Sequence, residues 1–178
     1  MNALLVLLFA LVFPLAHILN GWVFGWLAFS SHIGLIYLPA FLRLANVLIL
    51  DGLNGTLATL LGGMLLIYYT QESTTVAFLN SLCSAGGPLV ALLFFRWHRG
   101  RKVELTSLRD LTELTLAYAV SNAMLHHVMW SLLDPTKLQS PVQVLWMITG
   151  DILGALLGAY LMKWGVLYYR QRKLGADF

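Results

Sequence analysis

Six apolar runs, each close to the length that crosses a bilayer, follow one another along this chain with only short polar connectors between them. A helix needs about 20 apolar residues to cross the roughly 30 Å hydrocarbon layer. Lipid offers the backbone no polar partner, so such runs must satisfy their own amides, and helices are the simplest way to do so. The runs predict helices over 3–29, 33–50, 52–69, 75–95, 107–133 and 142–169. The connectors between them carry turn formers or charge, among them Ser30 to His32, Asp51 with Gly52, and Asp134 to Pro141. Little of the 178 residues is left for a soluble head, so the whole of 1–178 reads as a single transmembrane domain. The fold class expected is all-α, a polytopic membrane helix bundle of about six spans. Composition agrees: 11% of residues are charged, against about 25% in soluble domains.

The formal charge of +3 does not point to nucleic acid, because the basic residues crowd into 96–102 and 170–173. That clustering is what the positive-inside rule produces, and it predicts both termini on the cytoplasmic side with Lys137 as the outer-loop cation. The same clusters attract anionic lipid. The first apolar run continues to Phe29 with no basic segment before it, so it reads as a retained helix and not as a cleaved leader. Cys83 is the sole cysteine, which excludes an internal disulfide and a cysteine metal cluster. Pro39 lies in the first half of the short second run, which therefore reads as tilted or partly re-entrant.

Two charges stand inside apolar sequence. Asp151 sits within 144–159 and Arg43 within 38–50. Each would cost about 2.5 to 3.5 kcal/mol at the centre of a lone helix, so they are expected to meet. Counting about 1.5 Å per residue from the predicted outer ends puts Asn20, Arg43 and Asp151 at one depth, with His126 slightly above and Asn122 and His17 slightly below. Helical spacing gives Pro39, Arg43 and Asn46 one face, Tyr118, Asn122, His126 and Met129 another, and Met147, Asp151, Gly154 and Gly158 a third. Arg43, Asn46, Asn122, His126 and Asp151 are thus the candidate lining of an outward-opening polar pocket for a small-molecule ligand or a partner helix. The alternative is that these groups only satisfy one another and lock helix register.

Gly150, Gly154 and Gly158 form a small-residue ridge, and Gly55, Thr59, Gly62 and Gly63 a second. Such ridges permit close backbone approach, here expected inside the bundle. His126 and His127 are adjacent and so point about 100° apart, and no histidine pair has the spacing that sets two nitrogens on one helix face. Neither metal nor haem is expected, and no cofactor. No nucleophile elbow, phosphate loop or zinc-protease helix is present, so the chain does not read as an enzyme. Trp22, Trp26, Tyr37, Tyr68, Tyr69, Trp97, Trp130, Trp146, Trp164, Tyr168 and Tyr169 are expected at the membrane interfaces.

Three stretches resemble the MASE1 family of bacterial membrane sensor domains. Trp146, Gly150, Asp151 and Gly154 within 146–159 are similar to its tryptophan, glycine-aspartate and leucine-glycine signature. Tyr37 to Ala40 with the leucine-rich run that follows resembles its proline-alanine segment, and Leu108, Arg109 and Asp110 its cytoplasmic helix start. Tyr160 stands where that family tends to have proline, and the tail after Arg170 is too short for an output domain. The resemblance implies a multi-pass protein of the bacterial inner membrane that senses a ligand and signals through a partner chain. Six helices with both ends inside are also architecturally similar to substrate-binding subunits of energy-coupling-factor vitamin transporters. A transport subunit is accordingly the alternative, and a structural subunit of a larger membrane complex the third reading.

Overall fold

The structure is a computed structural model and describes residues 3–30, 33–70, 73–138 and 140–175, with side chains as far as 169. His32, Glu72 and the side chains of the 170–173 basic tail lie outside the described residues. The chain is overwhelmingly helical: α1 Ala3–Phe24, α2 Pro39–Ile49, α3 Gly52–Leu65, the single turn α4 Ile67–Thr70, α5 Thr74–Arg99, α6 Leu108–Leu133 and α7 Gln143–Gly175. Between α1 and α2 the strands β1 Ala28–Ser30 and β2 Ile33–Gly34 form a small antiparallel ribbon.

Four stretches are long and apolar enough to cross a membrane: Ala3–Leu27, Gly52–Thr70, Thr74–Arg99 and Gln143–Tyr169. The all-α bundle and its membrane character therefore hold. α6, with 26 residues, is as long as α5 but less apolar, because its polar groups fill one face. Leu116, Val120, Met124, Val128 and Leu132 recur every fourth residue and are exposed, whereas Asp110, Tyr118, Asn122 and His126 are buried on the other side. That is the pattern of a helix with lipid on one face and a polar interior on the other.

The first and second expected helices are corrected. The segment 33–50 is not one helix: α2 begins only at Pro39 and has 11 residues, about 16 Å of rise and too short to cross alone. Proline at the first helical position loses no hydrogen bond and pre-sets φ, which is why the helix starts there. Likewise the first helix stops at Phe24, and Gly25–Leu27 form a 3-10 turn before the ribbon strands Ala28–Ser30 and Ile33–Gly34.

Non-helical backbone at this depth must find partners elsewhere. The Leu35 N–H donates to the Leu27 carbonyl at 3.1 Å, and the Tyr37 N–H to the Gly150 carbonyl at 3.0 Å. The Leu38 N–H donates to Asn20 Oδ1 at 2.7 Å. The ridge on α7 makes this fit. A Cβ at Gly150 would strike the Gly34 carbonyl oxygen, one at Gly154 the Tyr37 carbonyl oxygen, and one at Gly158 the Phe41 ring. The ridge is used inside the bundle, to seat a stretch of bare backbone.

α1, α3, α5, α6 and α7 pack in succession, and α2 lies among them against α1, α3, α5 and α7. Ala40, Leu44 and Val47 of α2 join Leu92, Phe95, Leu114 and Tyr118 in the main apolar core. One end of the bundle is basic. There Asp51 meets Arg96 at 3.6 Å, Gly100 ends α5 in the left-handed conformation, and Ser107 Oγ caps α6 by accepting from the Asp110 N–H at 3.3 Å. Asp110 itself takes both guanidinium nitrogens of Arg101, at 2.6 and 2.8 Å, and Glu113 pairs with Arg99 and Arg109. The far end holds the ribbon, α4 and the start of α7. Beyond Gly158, α7 continues with every described side chain from 159 to 169 exposed, Trp164, Tyr168 and Tyr169 among them.

Candidate ligand-binding cavity

Arg43 projects from the second turn of α2 into the centre of the bundle, and its side chain is held by neutral oxygens. Nη2 donates to Ser84 Oγ of α5 at 2.8 Å and to the Tyr37 hydroxyl at 3.1 Å. Nη1 lies 3.4 Å from the Tyr118 hydroxyl of α6. Its planar cation also covers the rings of Tyr37 and Phe13, at 4.9 and 5.4 Å from their centroids, an arrangement that favours arginine over lysine. The buried Nε has no partner.

Asp151 faces the same cavity from α7. Its Oδ2 accepts from Asn122 Nδ2 at 2.7 Å. The expected direct contact is therefore corrected: among the described residues the ion pairs do not include Arg43 with Asp151. The Tyr118 hydroxyl accepts from the cation and the Asn122 amide donates to the carboxylate. The two charges share one cavity, each held by neutral groups and not by the other.

His126 is the histidine that turns inward. Its Nε2 lies 3.4 Å from Ser84 Oγ and its Nδ1 3.0 Å from the Asn122 carbonyl, while His127 turns aside to the Ala123 carbonyl. His17 of α1 joins through the Tyr37 hydroxyl at 3.0 Å. These groups line a cavity of about 270 Å³. Phe13 and His17 come from α1, Tyr37 and Arg43 from the broken span, and Gly63 and Leu66 from the end of α3. Asn80, Ser81 and Ser84 lie in the first half of α5, His126 and Trp130 late in α6, and Met147 and Asp151 early in α7. All of these positions are on the far half of the bundle, away from the basic loop.

Of the five residues expected to line the pocket, Arg43, His126 and Asp151 do so. Asn122 stands behind Asp151 and holds it. Asn46 lies elsewhere: its Nδ2 donates to Thr59 Oγ1 at 2.9 Å, fastening α2 to α3. The two asparagines and Arg43 do fasten helices together, as the register-locking reading expects of such groups. Tyr37 and Trp130 were assigned to the interfaces from their positions near run ends. Instead Tyr37 binds Arg43, and Trp130 is 2% exposed with its indole donating to Asn80 Oδ1 at 3.0 Å. Trp22, Trp26, Tyr68, Trp97 and Trp164 are widely exposed, as an interfacial belt requires. Ser84 was missed; one turn after Ser81 on α5, its face was legible, but a serine in an apolar run ordinarily bonds its own helix.

Among the described residues no three histidine, cysteine, aspartate or glutamate side chains converge to hold a metal ion. What the cavity offers is hydrogen bonding and two opposite charges. No family model, curated protein or solved structure matches the chain.

Proposed function

We propose that this protein is a ligand-binding module of the bacterial inner membrane, with its basic end in the cytoplasm and its cavity opening to the outer side. The observation that carries this reading is the roughly water-sized-to-metabolite-sized space, about 270 Å³, left beside a buried Arg43 and Asp151. Intramembrane charge facing a cavity is by default functional, and a cavity with a few convergent polar groups is the usual form of a small-molecule site. The orientation follows from the arginines of 96–101 at the opposite end.

The similarity to MASE1 domains favours a sensor that acts through a partner chain. A ligand competing for Arg43 or Asp151 displaces their present partners and shifts α7 relative to α2. α7 is the element able to carry that shift outward, since its distal turns protrude from the bundle without cover. Binding to the partner is tested by co-purification with wild type, Asp151→Asn and Arg43→Gln chains. Unchanged partner recovery from folded variants overturns the sensor reading.

One feature favours a second reading, a substrate-carrying transport subunit. The span from β2 to Ile49 is broken at mid-depth, beside the charged groups, as in transporters that bind substrate where a helix is interrupted. Native mass spectrometry of the protein extracted in its own lipids separates the two: a motor subunit that hydrolyses ATP belongs to transport, a signalling chain to sensing. A chain that carries no small molecule, in a larger complex that fills the cavity with side chains, removes both.

A further inference from the structure

The chemistry of the cavity restricts the class of ligand, an inference that deepens the ligand-binding reading and rests on it. Two full charges of opposite sign line the same cavity, Arg43 from α2 and Asp151 from α7. Each is at most 4% exposed. They form no ion pair with each other, so each presents a charged group whose own direct partners are neutral. Arg43 is bonded only to hydroxyls, with Nε left over, and a carboxylate is a stronger partner for a guanidinium than any of these. Asp151 accepts from a neutral amide, and an ammonium is a stronger partner.

Net charge then decides between ligands. The resting site is neutral overall, and a buried site tolerates an added net charge poorly. A monoanion on Arg43 leaves Asp151 uncompensated, and a monocation on Asp151 does the same to Arg43. A molecule carrying both charges gives each group a direct partner and adds no net charge. Size agrees: 270 Å³ is the room of about nine waters, enough for a ligand of amino-acid dimensions. Ile33, Leu66, Ile67, Met147 and Trp130 give the rest of the wall an apolar part that suits an uncharged side group, beside polar side chains such as Asn80 and Ser81.

We propose that the cavity takes a small zwitterion of amino-acid size, its carboxylate on Arg43 and its ammonium on Asp151. The test uses the full chain in lipid nanodiscs and a panel of L-amino acids, each beside its des-amino carboxylic acid and its decarboxylated amine. Binding is read by thermal shift and by displacement of the tightest radiolabelled member. At least one amino acid should bind, with both single-charge analogues weaker by at least about tenfold, because a site built for a polar group rejects the analogue that lacks it. Asp151→Asn should erase the preference for the amino group, so that the des-amino acid binds as well as the amino acid. A wild-type protein that binds a des-amino acid or an amine as tightly as its zwitterion overturns the proposal while leaving the ligand-binding reading intact. A panel that leaves the melting point unmoved also overturns it, and the small molecules seen by native mass spectrometry then decide the broader reading separately.

Discussion

Substituting Gly154 by alanine adds one methyl group in a place where the chain has left no room. The added carbon would strike the Tyr37 carbonyl oxygen and lie 2.9 Å from the Leu38 nitrogen. Both are backbone atoms of a segment tied on either side, by Tyr37 N–H to Gly150 and by Leu38 N–H to Asn20. The segment cannot swing away as a side chain would. Overpacking of this kind costs about 1–3 kcal/mol. Pushing the segment off the ridge also loosens the Tyr37 hydrogen bond, and an amide left unpaired away from water costs about a further 1–3 kcal/mol. Against this stands the better helix propensity of alanine, about 1 kcal/mol. The net expectation is a loss of about 1–5 kcal/mol. Gly165, on the same helix, is the control, since a Cβ there meets nothing within 4 Å, and Gly165→Ala should be neutral or stabilising by up to about 1 kcal/mol. Equilibrium unfolding of both variants in mixed micelles, followed by tryptophan fluorescence, gives the comparison. If Gly154→Ala proves as stable as Gly165→Ala, the seating of 34–38 on α7 is wrong.

Three further outcomes follow from particular contacts. Tyr118→Phe removes a hydroxyl that accepts from Arg43 and should lower stability by about 1–3 kcal/mol, measured in the same micelles; an unchanged value would mean that Arg43 does not depend on this acceptor. Asn46→Ala should weaken the α2–α3 contact through Thr59 yet leave ligand affinity within about twofold, since Asn46 does not line the cavity. Finally, the Arg101 guanidinium and the Glu104 N–H hold the Asp110 carboxyl down to about 2, below its ordinary 3.8. A depressed folded-state value means that this contribution is complete above the unfolded value and fades as pH falls from about 4 to about 2. Melting curves of wild type and Asp110→Asn should therefore differ at neutral pH and converge at the acid end of that window.

Much of the bundle could be read from hydropathy because lipid imposes one rule on every run: apolar outside, backbone satisfied within. Spans 3–5 were placed to within a few residues for that reason, and the cap at Ser107 was visible from its spacing to Asp110. The stretch 33–38 was not. Its residues are as apolar as those of a helix, and what holds it extended is a docking site on α7 in the last third of the sequence, which no local pattern contains. The site shows the same division. Arg43, Asp151 and His126 stood out because charge and imidazole are expensive in apolar sequence. Tyr37 and Trp130 did not, because an aromatic with one polar atom fits a lipid interface and a polar cavity equally well. The direct ion pair was expected on grounds of cost alone; hydroxyls around Arg43 and an amide on Asp151 lower that cost without contact, and only the packed helices bring those partners together.

The bare backbone laid along α7 has a consequence for how the chain is made. A ribosome delivers the second span long before Gly150 and Gly154 exist, so the amide of Tyr37 has no native acceptor while the middle helices are being inserted. Until the last helix arrives, that stretch must coil into a provisional helix, wait near the interface or be sheltered by the insertion machinery. Assembly is therefore closed from the end of translation backwards, and a chain cut short before α7 should be recognised as unfinished by the cell's quality control.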